Sequence, residues 1–369
     1  MHSFRKITFG VLLSIILAIS SLPTPALANG NTNHNSDLHF GARLNLPSDY
    51  TALALKTATE IDLDWIAVDF DWNAFWPGKS QGIKYQFIDP IMKKAASNGI
   101  EVLISITNAP DWAMTKSGPD PELTAKLVTM LTNRYGHQAL SAIELFPGAN
   151  TVSGWGTTPD PGAYLALLKS AQVGMRNANT QLNLVAGGLT PLSSTNTRDW
   201  DDLTFLEALY EKNAISLLPI ISLRLTNVTH SANAVSGEYD SPVLRHYEDI
   251  RNLMLKYEHQ TGKIWITGFS WPADQPNDPD QQAGWLAQAY DYMGAQLYID
   301  VCIFNSLNAA EKQNTSDSFP AFLVNADGVL HPAAEIIRER IRQHYNYSTR
   351  APKYAEIQSL AALKKENKQ

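Results

Sequence analysis

The feature that most limits what this chain can fold into is an alternation repeated eight times. Short apolar runs rich in β-branched residues occur at His39–Leu44, Trp65–Phe70, Val102–Thr107, Ala142–Phe146, Leu182–Ala186, Ile220–Leu225, Ile264–Phe269 and Tyr298–Phe304. Helical segments follow them, at Ser48–Glu60, Ile88–Ser97, Pro121–Arg134, Pro159–Asn177, Leu203–Lys212, Pro242–Gln260, Pro279–Met293 and Pro332–Tyr345. Several of these open on proline, where the missing N–H costs a helix nothing. Strand–helix alternation predicts a parallel sheet. Eight repeats predict that the sheet closes, giving an α/β fold of the (β/α)8 TIM-barrel type as a single domain over 38–346.

The two ends read differently. Arg5 and Lys6 precede an apolar run from Ile7 to Ile19, and Ala26-Leu27-Ala28 follows as a small-x-small cleavage pattern. Residues 1–28 therefore read as a secretory signal peptide cut after Ala28. The run is short for a bilayer span, so a secreted product is expected, whether extracellular, periplasmic or at the cell surface, with no membrane span after cleavage. The Asn-rich stretch 29–37 reads as a disordered lead-in, and 347–369 as a solvated charged tail. A net charge of −7 argues against nucleic acid or an anionic membrane as partner. Cys302 is the single cysteine, so no internal disulfide can form and the core must supply the stability. Asn227, Asn314 and Asn346 open N-x-S/T sequons. No metal-ligand spacing, P-loop, G-x-G-x-x-G or G-x-S-x-G is present, so neither metal nor cofactor is expected.

In a barrel of this kind the chemistry sits at the C-terminal strand ends. Four stretches there are informative: D-W-I-A-V-D-F-D-W-N-A-F-W-P at 64–77, I-T-N-A-P-D-W-A at 106–113, A-I-E-L-F-P-G-A-N at 142–150 and K-I-W-I-T-G-F-S-W-P at 263–272. Together they resemble clan A of the glycoside hydrolases, the retaining barrel enzymes, with the family 39 and family 5 type nearest. In those enzymes the fourth strand reads E-I-W-N-E-P-N, its second Glu being the acid/base. The seventh reads I-W-I-T-E-F-G-W, its Glu being the nucleophile. Here Glu144 matches the first Glu and Asn150 the last Asn, while Pro147, Gly148 and Ala149 replace the orienting Asn, the acid/base and the Pro. Ile264, Trp265, Ile266, Thr267, Phe269 and Trp271 match the seventh strand, while Gly268 replaces the nucleophile and Ser270 a Gly. Arg224-Leu225-Thr226 stands where a His-Pro-Tyr element is expected, and Trp76 where a Glu is common.

Retaining hydrolysis needs two carboxyl groups about 5–5.5 Å apart, one attacking the anomeric carbon and one passing the proton. Glycine offers neither, and no side chain to hold a water in their place. The resemblance therefore implies an inactive member with Gly148 and Gly268 as lost catalytic positions. Asp71 and Asp111 are the fallback carboxylates for an unorthodox hydrolase. Asp69, Asp71, Asp111 and Asp274 all lie near strand ends, with structural capping as the plainer role. Glu144 shares parity with Gly148 and is expected inside the barrel, paired and non-catalytic.

Five of the nine tryptophans fall at the expected mouth: Trp72, Trp76, Trp112, Trp155 and Trp271. Aromatic rings there suit the C–H face of a sugar, or else plug loop cores. With Asn150 and Arg224 they form the candidate glycan-binding set, Arg224 serving to pair a nearby acid or to meet an anionic sugar. Trp65 and Trp265 are expected to pack outward against helices. Three functions follow: a non-catalytic barrel that binds a polysaccharide or glycan, an unorthodox O-glycosyl hydrolase, or a cell-surface scaffold.

Overall fold

A computed structural model describes residues 38–46, 51–178, 182–192, 197–226, 228–271, 279–308, 322–325 and 327–347. The expected signal peptide, the lead-in, the tail beyond Tyr347, Asp274 and the sequon residues Asn227 and Asn314 lie outside the described residues.

The barrel strands are β1 (His39–Leu44), β2 (Trp65–Asp71), β3 (Glu101–Thr107), β4 (Leu140–Leu145), β5 (Asn183–Leu189), β6 (Ile220–Leu225), β7 (Lys263–Phe269) and β8 (Ile299–Phe304). Each pairs in parallel with the next, and β8 pairs with β1, so the sheet is closed. The helices between them are α1 (Thr51–Glu60), α2 (Asp89–Asn98), α3 (Pro121–Tyr135), α4 (Pro161–Ala178), α5 (Asp202–Glu211), α6 (Tyr247–Lys256), α7 (Pro279–Gly294) and α8 (Pro332–Tyr347). Local chemistry sets their starts. Asp120 accepts from the Glu122 and Leu123 amides ahead of α3, and Asp201 from the Thr204 amide at α5. Asp160 Oδ1 accepts from the Gly162 and Ala163 amides, so α4 begins at Pro161 rather than at Pro159 as expected. The helix expected over Pro242–Gln260 is shorter. A 3-10 turn at Leu244–His246 precedes α6, which ends at Lys256. Small elements between the strands and helices went unforeseen, among them one-turn helices at Trp72–Phe75 and Val152–Trp155 and a two-stranded ribbon pairing Met114–Thr115 with Gly118–Pro119.

Apolar side chains inside the barrel form one closed cluster: Trp65, Ala67, Leu103, Ala142, Val185, Ile220, Trp265, Val301 and Ile303. Trp65 and Trp265 meet edge to face at 5.1 Å. This corrects the expectation that they face the helices. Trp65 shares the face of Asp69, two pleats away on β2. For Trp265 the cause is a register shift. Leu223 pairs with Ile266 but Arg224 pairs with Gly268, and on the other side Cys302 pairs with Ile266 but Phe304 with Phe269. One extra residue in β7 bends the ladder, so parity counted back from Gly268 fails. Gly41 of β1 makes room for the indoles, since a Cβ there would collide with Ile303 and Trp65.

Because the two indoles fill the barrel axis, Trp65→Ala should leave a cavity that backbone closure cannot collapse. The expected cost is about 3–5 kcal/mol, to be read from urea unfolding; a loss below about 1 kcal/mol would show that the barrel interior repacks.

Candidate functional site

Above the apolar cluster lies a layer of polar side chains. Glu144 is fully buried and accepts from Ser105 Oγ at 2.6 Å, Thr267 Oγ1 at 2.6 Å and Arg224 Nη2 at 3.1 Å. Arg224 Nη2 also donates to Asp69 Oδ1 at 3.0 Å. Arg43 donates to the same Asp69 oxygen at 2.5 Å and to the Thr267 carbonyl. Two guanidiniums and two carboxylates thus share one network. Burial would push the Glu144 carboxyl up, but Arg224 and Arg43, helped by the two hydroxyls, hold it below its usual range. Asp69 follows the same logic, with Arg43 and Arg224 outweighing burial. Burial, then repulsion from Arg224, pulls Arg43 down to about 10. For Arg224, burial is outweighed by Asp69 and Glu144 and its pKa rises. Both acids therefore stay ionised and both guanidiniums charged at neutral pH.

Part of this network reaches solvent. Asp69 is 40% exposed at its side chain and Arg224 19%. On the β4 side the backbone is bent sharply, with Phe146 at φ 49° and Gly148 at φ 78°, both left-handed. The Gly148 amide donates to the Gly188 carbonyl at 2.8 Å. A Cβ at 148 would lie 3.2 Å from Thr151 Oγ1, so a side chain there is strained in backbone and tight in space. Gly268 is different. A Cβ there would make ordinary contacts, 3.6 Å to Thr226 Cγ2 and 3.8 and 4.0 Å to Arg224 Cγ and Cδ. Its side-chain direction runs along the Arg224 stem.

The two fallback acids sit in different surroundings. Asp71 caps the Trp72–Phe75 turn, accepting from the Ala74 amide at 2.8 Å, and each of its oxygens accepts from Asn108 Nδ2 at 3.0 Å. Asp111 sits exposed in the first turn of the 3-10 segment Asp111–Ala113. Asn150 is buried and fully engaged. Its Nδ2 donates to the Thr190 and Trp200 carbonyls and its Oδ1 accepts from the Thr190 amide, tying the loops after β4 and β5 together. It is a brace rather than a ligand-facing group.

The expected aromatic rim is mostly interior. Trp72, Trp76, Trp155 and Trp271 are all buried. The Trp155 indole donates to the Ser117 carbonyl and Trp271 to His230, drawing loops down over the rings. Trp72 stacks on Trp76, and Trp112 meets Trp76 edge to face at 5.0 Å. Trp112, with its N–H on the Pro77 carbonyl, is the partly exposed member of the five. Arg224 takes the pairing role rather than standing free. Sequence reading gave no part to Arg43 or Tyr164. The first has a legible signal, a lone charge in the apolar run H-F-G-A-R-L. The second has none, although its hydroxyl accepts from the Gly187 amide at 2.6 Å and donates to the Leu145 carbonyl at 3.1 Å, joining β4 to β5. A surface groove of about 560 Å³ lies elsewhere, between the 114–119 ribbon and the α4–α5 flank, lined by Lys116, Trp200, Glu211 and Lys212 among others. It contains none of the candidate residues. No described helix is long and apolar enough to cross a membrane.

No known family's sequence profile matches the chain, and no characterised protein matches it by sequence. Its fold is nevertheless shared. It is similar to a family 39 glycoside hydrolase from Bacteroides cellulosilyticus WH2, at 15% identity and TM-score 0.61, over 84% of this chain and 64% of that one. It is similar to a glucosidase from Croceicoccus marinus, at 13% identity and TM-score 0.63, over 85% and 68%. It is also similar to xylanase 10B from Thermotoga petrophila RKU-1, at 12% identity and TM-score 0.58, over 84% and 95%. The chain thus shares the (β/α)8 barrel fold of these glycoside hydrolases, and it spans about 64% of the length of the Bacteroides enzyme.

The network makes stability pH-dependent with a definite sign. Folded-state pKa values lowered at Glu144 and Asp69 supply stability that is present above their ordinary values of 4.5 and 3.8 and is lost as pH falls through the lowered ones. Glu144→Gln strands the two guanidiniums against one acid. It should cost about 3–5 kcal/mol at neutral pH, with the gap to wild type narrowing below pH 4.5 in urea titrations run across a pH series.

Proposed function

We propose that the chain is an exported glycoside-hydrolase-like barrel that binds a polysaccharide or glycan at its mouth without cleaving it. The observation that carries this reading is the chemistry at positions 148 and 268. Each lies at a strand end where the clan A resemblance calls for a glutamate, and each is glycine. A retaining mechanism has no nucleophile and no proton donor there. The other carboxylates at the strand ends have structural roles: Glu144 is held by a guanidinium and two hydroxyls, Asp69 gives one oxygen to two guanidiniums, and Asp71 serves a helix cap and Asn108. Those roles argue against an unorthodox hydrolase built on them. Support for binding comes from the strand ends, where an ionised acid and a guanidinium are partly exposed, and from Trp112, a partly exposed ring in the loop after β3. The glycosidases and xylanases that share the fold fit a polysaccharide ligand. Export follows from the basic start, apolar run and Ala26-Leu27-Ala28 of the sequence; N-terminal sequencing of the secreted product should begin at Asn29.

Incubation with aryl glycosides and a polysaccharide panel should release no product above a no-protein control, while calorimetric titration with the same polysaccharides should show heat of binding. Turnover that disappears in Asp71→Asn would overturn the non-catalytic assignment. Gly148→Glu with Gly268→Glu should stay at background as well. Left-handed backbone at 148 costs a non-glycine residue about 1–2 kcal/mol and misdirects its carboxyl.

A further inference from the structure

Resting on the reading of the mouth as a glycan site, we propose that Asp69 and Arg224 form a clamp for two adjacent hydroxyls of a neutral sugar. The pair is held by a 3.0 Å contact between Asp69 Oδ1 and Arg224 Nη2. Asp69 commits Oδ1 to both Arg43 and Arg224, and Oδ2 bonds to no described residue. Arg224 commits Nη2 to Asp69 and Glu144, and Nη1 bonds to no described residue. Both side chains are part-exposed, so solvent reaches the pair, while Arg224 Nε stays buried.

An ionised carboxylate only accepts hydrogen bonds and a guanidinium only donates them. A hydroxyl does both. Of two hydroxyls on neighbouring carbons, one donates to Asp69 Oδ2 while the other accepts from Arg224 Nη1. Such charge-assisted bonds are the strong ones. Charge balance selects a neutral ligand. Arg43, Arg224, Asp69 and Glu144 already sum to zero, and a uronate carboxylate would face the free oxygen of Asp69. The clamp is preorganised as well, since Arg43 and Glu144 pin both members from below and little side-chain freedom is lost on binding. Gly268 keeps it uncovered, because any longer side chain there would run over the Arg224 stem.

The linkage of a polymer decides whether adjacent hydroxyls exist along it. Residues within xylan keep two free neighbouring hydroxyls, whereas residues within laminarin keep none. Polygalacturonate keeps the pair but adds a carboxylate. Titration of the full secreted protein with soluble oligosaccharides of each should show xylan bound at least tenfold more tightly than the other two. Asp69→Asn, which turns part of the acceptor into a donor, should weaken xylan binding at least tenfold. Gly268→Leu, which covers the clamp without altering its charges, should do the same and decides the matter if Asp69→Asn melts early. Equal binding of laminarin, a preference for polygalacturonate, or xylan binding unchanged in a folded Asp69→Asn or Gly268→Leu protein would overturn the clamp while leaving a glycan-binding mouth intact. No binding of any glycan would overturn both.

Discussion

Closure of the barrel depends on placing two guanidiniums and two carboxylates in its neck without leaving any of them unpaired. Taking such groups out of water is expensive, and removal of one partner strands another. Here the cost is offset by mutual contact, since each member touches at least one opposite charge and Glu144 gathers two hydroxyls besides. The contacts run across strands rather than along them. Arg43 comes from β1, Asp69 from β2, Ser105 from β3, Glu144 from β4, Arg224 from β6 and Thr267 from β7. β5 joins by a different route, through the Gly188 amide on Ser222 Oγ and the Gly187 amide on the Tyr164 hydroxyl. Below this layer the indole pair and its aliphatic neighbours supply the apolar burial. Above it, the loops are free to differ.

Much of this was legible in the residues, and the failures have identifiable causes. Every barrel strand coincides with an apolar run, because parallel strands covered on both faces need continuous hydrophobicity. Glu144 reads as interior from its parity with Gly148, and Arg224 reads as able to pair a nearby acid, but which acids it joins is decided by strands far apart in the chain. The parity of Trp265 was lost to a bulge that exists only in the pairing of β7 with its neighbours, and nothing in the run K-I-W-I-T-G-F marks it. The burial of the tryptophans at the strand ends depends on residues far along the chain: Trp155 and Trp271 reach the carbonyls of Ser117 and His230, and Trp72 and Trp76 pack against Trp112. Asn150 failed in the same way, since its three bonds go to residues some forty or more positions on.

A barrel shared with xylanases and glucosidases at 12–15% identity says how the strands are arranged and little about the reaction. Function must be read from the site, where positions 148 and 268 are both glycine and the backbone at 148 is left-handed. The left-handed turn through Phe146 and Gly148, fixed by the Gly188 carbonyl, shapes the β4 end around an absent side chain. The β7 end is shaped by its neighbour, Arg224, which lies against the empty face of Gly268.

That last arrangement couples two positions that are far apart in the chain. An acid placed at 268 would emerge along the stem of a guanidinium already anchored to Asp69 and Glu144, and an opposite charge so close favours pairing. Removing Arg224 instead would leave Glu144 in the barrel neck with one cationic partner fewer. The residue tolerated at 268 is therefore set by the charge balance of the barrel neck as much as by the space around it.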